Sequence, residues 1–196
     1  MKLSPLNEII KADVEEVTKA ILKDAVDPWM FFNSKGVQIK KVYGGSISIS
    51  GVEYSGSAVL IFWNGFIDAY IKKRSRDLIE TTRLKAIERN ILVQGALESC
   101  RLHLHGMISQ IFNRMAIIDQ RLRGKGYPNS VEIKDVHKRI MQNCLVVDTL
   151  INSEIESSKN IKRKTSKWLN AFELKPNFFG MGINLNWLIS KVFRKK

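Results

Sequence analysis

A long, regular apolar stripe runs through the middle of the chain. From residue 93 to residue 122 the apolar positions are three or four residues apart, which is the period of an α-helix and not of a β-strand. The stripe consists of Val93, Leu97, Cys100, Leu104, Ile108, Ile111, Met115, Ile118 and Leu122. A helix of this length, about 45 Å, can cover such a stripe only by packing against other elements, so the pattern predicts a mainly helical fold.

A second stripe follows after the sequence RGKGYPNS at 123–130, which breaks the first helix. Asn129 and Glu132 are spaced as a capping box at a helix start. The return stripe consists of Ile133, Val136, Ile140, Cys144, Val147 and Ile151. Two such helices joined by a short Gly/Pro loop fold back as an antiparallel hairpin, here with its turn near residue 127.

The two cysteines are predicted to stay apart. In the register of this hairpin Cys100 lies opposite about residue 154, so Cys144 is offset from it by about ten residues, or about 15 Å along the helices. A disulfide needs Cα atoms within about 7 Å of each other. Two cysteines in 196 residues fit a reducing compartment.

The first third of the chain changes period twice. Ser4 and Pro5 begin an amphipathic helix over residues 5–25 that we expect Asp27-Pro28 to end. The residues after that alternate in polarity and predict a three-stranded meander with turns at Gly44-Gly45 and Ser55-Gly56. Its strands are predicted at 37–43, 46–54 and 57–63. Residues 66–92 return to a helical pattern, with a thin apolar seam of Ile71, Leu78, Thr82 and Ala86.

These patterns predict a mainly α (α+β) fold. It combines a long antiparallel helical hairpin or bundle, a small three-stranded β-meander and a C-terminal amphipathic helix. We expect a helical domain over residues 1–158, with the meander at about 37–63, and a basic linker and amphipathic segment over 159–196. Because the hairpin stripes carry more apolar surface than one short helix and a small sheet need to cover, we expect a homo-oligomer or a larger complex.

Positive charge is concentrated at the C-terminal end. The net charge is +13, and residues 157–196 contain ten Lys or Arg against a single Glu. Such a gradient is typical of a region that contacts an anionic surface. Leu185, Leu188, Ile189, Val192 and Phe193 form one helical stripe there. The residues predicted to contact a membrane or partner are Phe178, Phe179, Leu185, Trp187, Leu188, Ile189, Lys191, Val192, Phe193, Arg194, Lys195 and Lys196.

Targeting and spanning segments are not predicted. The first residues lack the apolar core and the cleavage site of a secretory signal. The longest nearly uncharged apolar stretch, at 57–71, has an apolar part about fourteen residues long and falls short of the roughly 17 residues that cross a bilayer. We therefore expect a cytoplasmic protein, with peripheral membrane contact as its only membrane association. The usage of Ile, Lys and Asn is typical of an AT-rich bacterial or phage genome.

The chain contains no short catalytic or cofactor motif, and we predict no catalytic residue, metal or cofactor. His103 and His105, two residues apart on a helix, point about 200° away from each other and do not form a metal pair. Helical ribonucleases often place a His five to seven positions after an Arg, whereas His105 follows Arg101 by four. The sequence therefore leans away from an enzyme without excluding one.

Three function classes remain. The leading interpretation is a non-catalytic helical assembly protein whose basic amphipathic C-terminal region engages an anionic membrane surface. The second is a weakly sequence-specific nucleic-acid-binding subunit of a nucleoprotein complex. Its phosphate contacts would be Lys72, Lys73, Arg74, Arg76, Lys162, Arg163, Lys164 and Lys167, with Trp168 stacking on a base. The third is an effector or enzyme subunit completed by oligomerisation or by a partner chain.

Overall fold

The computed structural model describes residues 5–31, 36–49, 66–123 and 133–171. The chain divides into two compact units, Met1–Ser157 and Ser158–Lys196. The helices are α1 (Pro5–Ile21), α2 (Asp68–Glu88), α3 (Val93–Arg123) and α4 (Ile133–Ala171), and the strands are β1 (Val37–Lys40) and β2 (Ser46–Ile49). The described part is thus mainly helical with a small antiparallel sheet, which confirms the predicted fold class in outline.

Helix α3 forms the centre of the first unit, with α1 and α2 packed on it and on each other. The stripe predicted on α3 is its core face, since every one of its members from Leu97 to Leu122 is buried. The α2 seam is buried as well. The α3 stripe is therefore covered within one chain, and the expected homo-oligomer or larger complex stays a prediction. α1, through Leu6, Ile10 and Val14, and the buried indole of Trp29 belong to the same core.

Helix α4 runs antiparallel to α3. Arg101 Nη2 donates to Asn152 Oδ1 at 2.5 Å, and His105 Nε2 lies 3.0 Å from Asp148 Oδ1. Both pairs are centred between residues 126 and 127, so the predicted hairpin register is confirmed. The other flank of α4 reaches α2, where Arg83 Nε lies 2.9 Å from Glu154 Oε1. Both cysteines are free.

A sharp corner separates α2 from α3, although the sequence pattern predicted helix throughout. Asn90 has a φ of 57°. The Asn90 N–H donates to the Ile87 carbonyl at 3.0 Å, and the Ile91 N–H donates to the Ala86 carbonyl at 2.8 Å. This is a Schellman motif, which usually has Gly at the left-handed position but accepts Asn. The absence of Gly or Pro at this corner explains why the periodicity did not reveal it.

The predicted end of the first helix at Asp27-Pro28 is also wrong. After Ile21 the chain continues as a π-helical turn, Leu22–Val26, and then as a 3₁₀ turn, Asp27–Phe31. Proline is tolerated in the first positions of a helical turn because it needs no backbone donor there. Asp27 is also held by α3, since Arg114 Nε donates to Asp27 Oδ1 at 2.9 Å.

The small sheet pairs β1 with β2 in antiparallel register, Val37 opposite Ile49 and Lys40 opposite Ser46. Gly44 and Gly45 have φ values of 95° and 74°, which confirms the predicted glycine turn. Tyr70 of α2 donates its hydroxyl to the Lys40 carbonyl at 2.6 Å and so attaches the sheet to the helices. The third predicted strand, at 57–63, lies outside the described residues.

Helix α4 continues to Ala171, so the first part of the predicted basic linker, from residue 159 onward, is helical. Lys and Arg are good helix formers, and no Gly or Pro occurs between Asn129 and Lys175. Polarity and charge alone do not interrupt a helix. The predicted capping box at Asn129 and Glu132, most of the hairpin loop at 123–130 and the C-terminal helix at 177–196 lie outside the described residues.

Candidate functional site

The predicted phosphate-binding residues fall into two groups, one in each compact unit. In the first unit Lys72 and Arg76 are exposed and lie one turn apart on α2. Lys73 is instead engaged by its own helix, since its Nζ lies 2.5 Å from Asp77 Oδ1. Arg74 is half-buried. Of these four cations, Lys72 and Arg76 are therefore the two exposed ones.

Several other cations of the first unit are close to a carboxylate. The N···O distances of these pairs are 3.9 Å for Lys11–Glu15, 2.9 Å for Lys40–Asp24, 2.9 Å for Arg83–Glu154, 2.5 Å for Lys85–Asp13, 2.9 Å for Arg114–Asp27 and 3.8 Å for Arg139–Asp68. Several join different helices, so they contribute to packing as well as to charge balance. The positive charge of the first unit is to a large extent compensated internally.

The second group lies on the C-terminal part of α4, whose backbone is helical to Ala171. Lys159, Lys162, Arg163, Lys164 and Lys167 occur there, and the stretch from Ser157 to Ala171 contains no Asp or Glu. On a helix, side-chain ion pairs form between residues three or four positions apart. Only Lys159 has an acidic residue at such a spacing, Glu156, so four of the five cations cannot be neutralised within their own helix.

The predicted membrane-contact or partner-contact residues, from Phe178 to Lys196, lie outside the described residues. Trp168, the predicted stacking residue, occurs on the helical part of α4 together with Arg163, Lys164 and Lys167. Trp168 and its neighbouring cations thus occur on one helix. Lys167 is next to Trp168 in the sequence, and Lys164 is four residues before it.

A polar cluster between α3 and α4 was not predicted. Asp148 Oδ1 lies 3.0 Å from His105 Nε2 and 3.5 Å from Arg101 Nε. Arg101 Nε also lies 3.4 Å from Glu98 Oε2. The side chains are partly exposed. Arg101 and His105 share a face because they are four residues apart, and this is the one signal in the sequence; nothing in the pattern identifies Asp148 as their partner.

The two histidines that alternate on α3 contact different helices. His103 Nε2 lies 3.1 Å from Asn7 Oδ1 of α1, whereas His105 contacts Asp148 of α4. This confirms that they point away from each other. Among the described residues no group of three His, Cys, Asp or Glu side chains is placed to hold a metal ion.

The chemistry of the Asp148 cluster favours a structural role. A His–Asp pair can orient an imidazole for proton transfer, but nucleophilic catalysis also needs an activated nucleophile nearby. Burial raises the pKa of the Cys100 thiol to about 11. Burial, and then the charge of Asp148, raise the pKa of Cys144. Both thiols therefore stay protonated at neutral pH, and the contacts of the cluster join α4 to α3.

Comparison with known proteins adds no assignment. No family model matches the sequence, and no curated protein or solved structure shows significant similarity to this chain. Within the described ranges, none of the helices combines the length and apolar character needed to cross a membrane.

Proposed function

We propose that this protein is a non-catalytic helical binding protein whose basic amphipathic C-terminal region engages an anionic membrane surface. One observation supports this above all: the five cations from Lys159 to Lys167 lie on a helical stretch, 157–171, that contains no Asp or Glu, whereas residues 1–157 contain 18 Asp or Glu beside their 22 Lys or Arg. Of the cations behind the net charge of +13, those without a nearby carboxylate attract an anionic partner most strongly.

The amount of charge suits reversible binding. Each Lys or Arg close to an acidic leaflet contributes about 1 kcal/mol, and the contribution falls off within a Debye length. Four or five such residues alone give weak attachment at physiological salt. Stable peripheral binding therefore requires a second, apolar contribution.

Apolar residues at helical spacing supply that contribution. On the helical part of α4, Ile161, Trp168 and Leu169 are spaced at i, i+7 and i+8, the spacing of one helix face. The predicted stripe at 185–193 follows the same rule with Leu188 and Ile189 at its centre. A nucleic-acid backbone would use the cations but would gain little from these aliphatic side chains, which is why a membrane is the better fit.

Vesicle flotation tests the proposal. The full chain should float with phosphatidylcholine vesicles that contain phosphatidylserine and not with pure phosphatidylcholine vesicles. Deleting residues 177–196 should abolish flotation and leave the melting temperature nearly unchanged. Replacing Leu188 and Ile189 by Asp should weaken flotation at every salt concentration, because apolar burial is lost.

A charge variant serves as the matched comparison. Changing Lys191, Arg194, Lys195 and Lys196 to Gln should give a defect that high salt reproduces in the wild type. A salt-titrated binding assay with single-stranded RNA runs in parallel. Strong RNA binding that the Leu188 and Ile189 changes leave intact, together with no flotation, would replace the membrane by a nucleic acid, with the exposed Lys72 and Arg76 as further phosphate contacts.

A further inference from the structure

One face of the α3–α4 hairpin carries almost no charge. Residues 102–113 of α3 and residues 140–147 of α4 contain no Lys, Arg, Asp or Glu, in a chain that is 26% charged. Yet large apolar side chains on these segments are exposed, with 73% for Leu102, 73% for Met141 and 66% for Leu145. We define the neutral face as Leu102, Gly106 and Gln110 of α3 together with Met141 and Leu145 of α4, all of them exposed.

The two halves of the neutral face lie side by side. His105 and Asp148 are in contact across the two helices. Leu102 is one turn before His105 on α3, and Leu145 is one turn before Asp148 on α4, so each leucine neighbours that contact along its own helix. The two halves of the neutral face therefore adjoin the same contact between α3 and α4.

Gly106 creates a depression in this face. Apart from the adjoining residues and backbone of α3 itself, no atom of the described residues lies within 4 Å of the position that a Cβ on Gly106 would occupy, so this part of the surface is open. Leu102 is four residues earlier on the same side of α3, which makes it the nearest apolar projection. When a second, identical helix crosses in the antiparallel direction, Leu102 of each helix can fill the depression at Gly106 of the other. The surface is therefore self-complementary.

We propose that two copies of this chain associate through the neutral face, with α3 against α3 about a two-fold axis. Leu102 of each copy then occupies the space above Gly106 of the other, which is the reciprocal contact that a two-fold interface requires. Met141 and Leu145 extend the apolar contact on both sides of the axis. The inference does not depend on membrane binding, although a dimer would present two basic helices and so raise avidity for any extended anionic surface.

Charge decides which partner the face fits. An acidic membrane or a nucleic acid gains no attraction from a surface without cations. Two copies that each carry +13 repel one another through most of their surface, and the neutral face is where they can meet without opposed lysines or arginines. The exposed apolar residues elsewhere on α2 differ in this respect, because Leu84 and Ile87 alternate with Arg83, Lys85 and Glu88.

Sedimentation of the full chain over a range of concentrations, at high salt, tests the dimer. The wild type should show a monomer–dimer equilibrium, and Leu102→Lys should weaken dimerisation by about tenfold or more, because an apolar anchor is lost and like charges are brought together twice per dimer. Leu84→Lys is the control, since Leu84 is also an exposed helical leucine, at 51%. It should leave the dissociation constant within about twofold, a difference of under half a kcal/mol.

Gly106→Ala separates dimerisation from folding. Alanine favours helix over glycine, and its Cβ meets no atom in the monomer, so the monomer should melt at a higher temperature. The dimer should weaken several-fold, because the space for Leu102 is reduced. A wild type that sediments as a monomer at its highest soluble concentration overturns the proposal. So does equal weakening by Leu102→Lys and Leu84→Lys, or an unchanged dissociation constant in Gly106→Ala.

Discussion

The first unit and the C-terminal part of α4 use the same residue types in different ways. In the first unit Lys and Arg join helices: Lys85 of α2 reaches Asp13 of α1, and Arg114 of α3 reaches Asp27. Beyond Ser157 the cations follow one another along a helix that carries no acidic residue up to Ala171. The positions of the carboxylates account for much of this difference, with 18 Asp or Glu in residues 1–157 and one in residues 158–196.

The difference shows why net charge is a poor guide to a binding surface. An ion pair between partly exposed side chains stabilises a fold only slightly, but it removes both charges from the field that an approaching partner experiences. The binding capacity of this chain should therefore follow the location of its cations and not their number. The stability of the first unit should follow its buried apolar contacts.

The largest effect is expected from charging the core of the first unit. Ile111→Lys should destabilise the fold by about 4 kcal/mol or more, because a cation is buried without a partner. Ile111 has no exposed surface in the single chain. It therefore reports on folding.

Ile117→Lys is the matched control on the same helix, because Ile117 is 54% exposed. It should change the free energy of unfolding by about 0.5 kcal/mol or less. Urea denaturation followed by circular dichroism measures both variants. Equal stability of the two variants would show that the Ile111 side of α3 is not the core face.

A pair of variants with equal net charge tests where the binding charge resides. Changing Lys162, Arg163, Lys164 and Lys167 to Gln should weaken binding to acidic vesicles by up to about a thousandfold, at about 1 kcal/mol for each cation. Changing Lys11, Lys40, Lys73 and Lys85 to Gln removes the same charge from ion pairs of the first unit. Flotation and thermal melting are measured for both.

The second variant should bind vesicles nearly as well as the wild type and should melt at a slightly lower temperature. The first should keep the wild-type melting temperature. Equal loss of vesicle binding in both variants would mean that total charge matters and that the contrast between the two regions has no functional meaning.

The smallest effect is expected at the corner between α2 and α3. Asn90→Ala should destabilise the first unit by about 1 kcal/mol, because alanine lacks the local hydrogen bonding that lets Asn adopt a positive φ. Asn90→Gly should be neutral or stabilising. Thermal melting at equal concentration measures both, and vesicle binding should not change. If Asn90→Ala melts like the wild type, the Schellman geometry does not contribute to stability.

Much of the fold could be predicted from the spacing of apolar residues, because this spacing shows the type and the apolar face of each single helix or strand. The α3 stripe, the α2 seam and the glycine turn all depend on contacts between residues close in sequence. The corner at Asn90 was missed because Asn is a weak signal for a left-handed residue. The end of the first helix was misplaced because proline can stand inside a helical turn. The helix that runs through the predicted linker was not indicated by the sequence, because its polar and basic residues carry no apolar period.

The sequence by itself determined the helices, their buried stripes, the hairpin register near residue 127 and the excess of cations after Ser157. Only the tertiary structure decided how the core covers its own stripes and which cations meet carboxylates. It also decided that Asp148 joins Arg101 and His105, and that Leu102 stays exposed. The physical reason is that these contacts join residues far apart in the chain, so they depend on how the helices are rotated and placed against each other, and the period of a single helix carries no information about that.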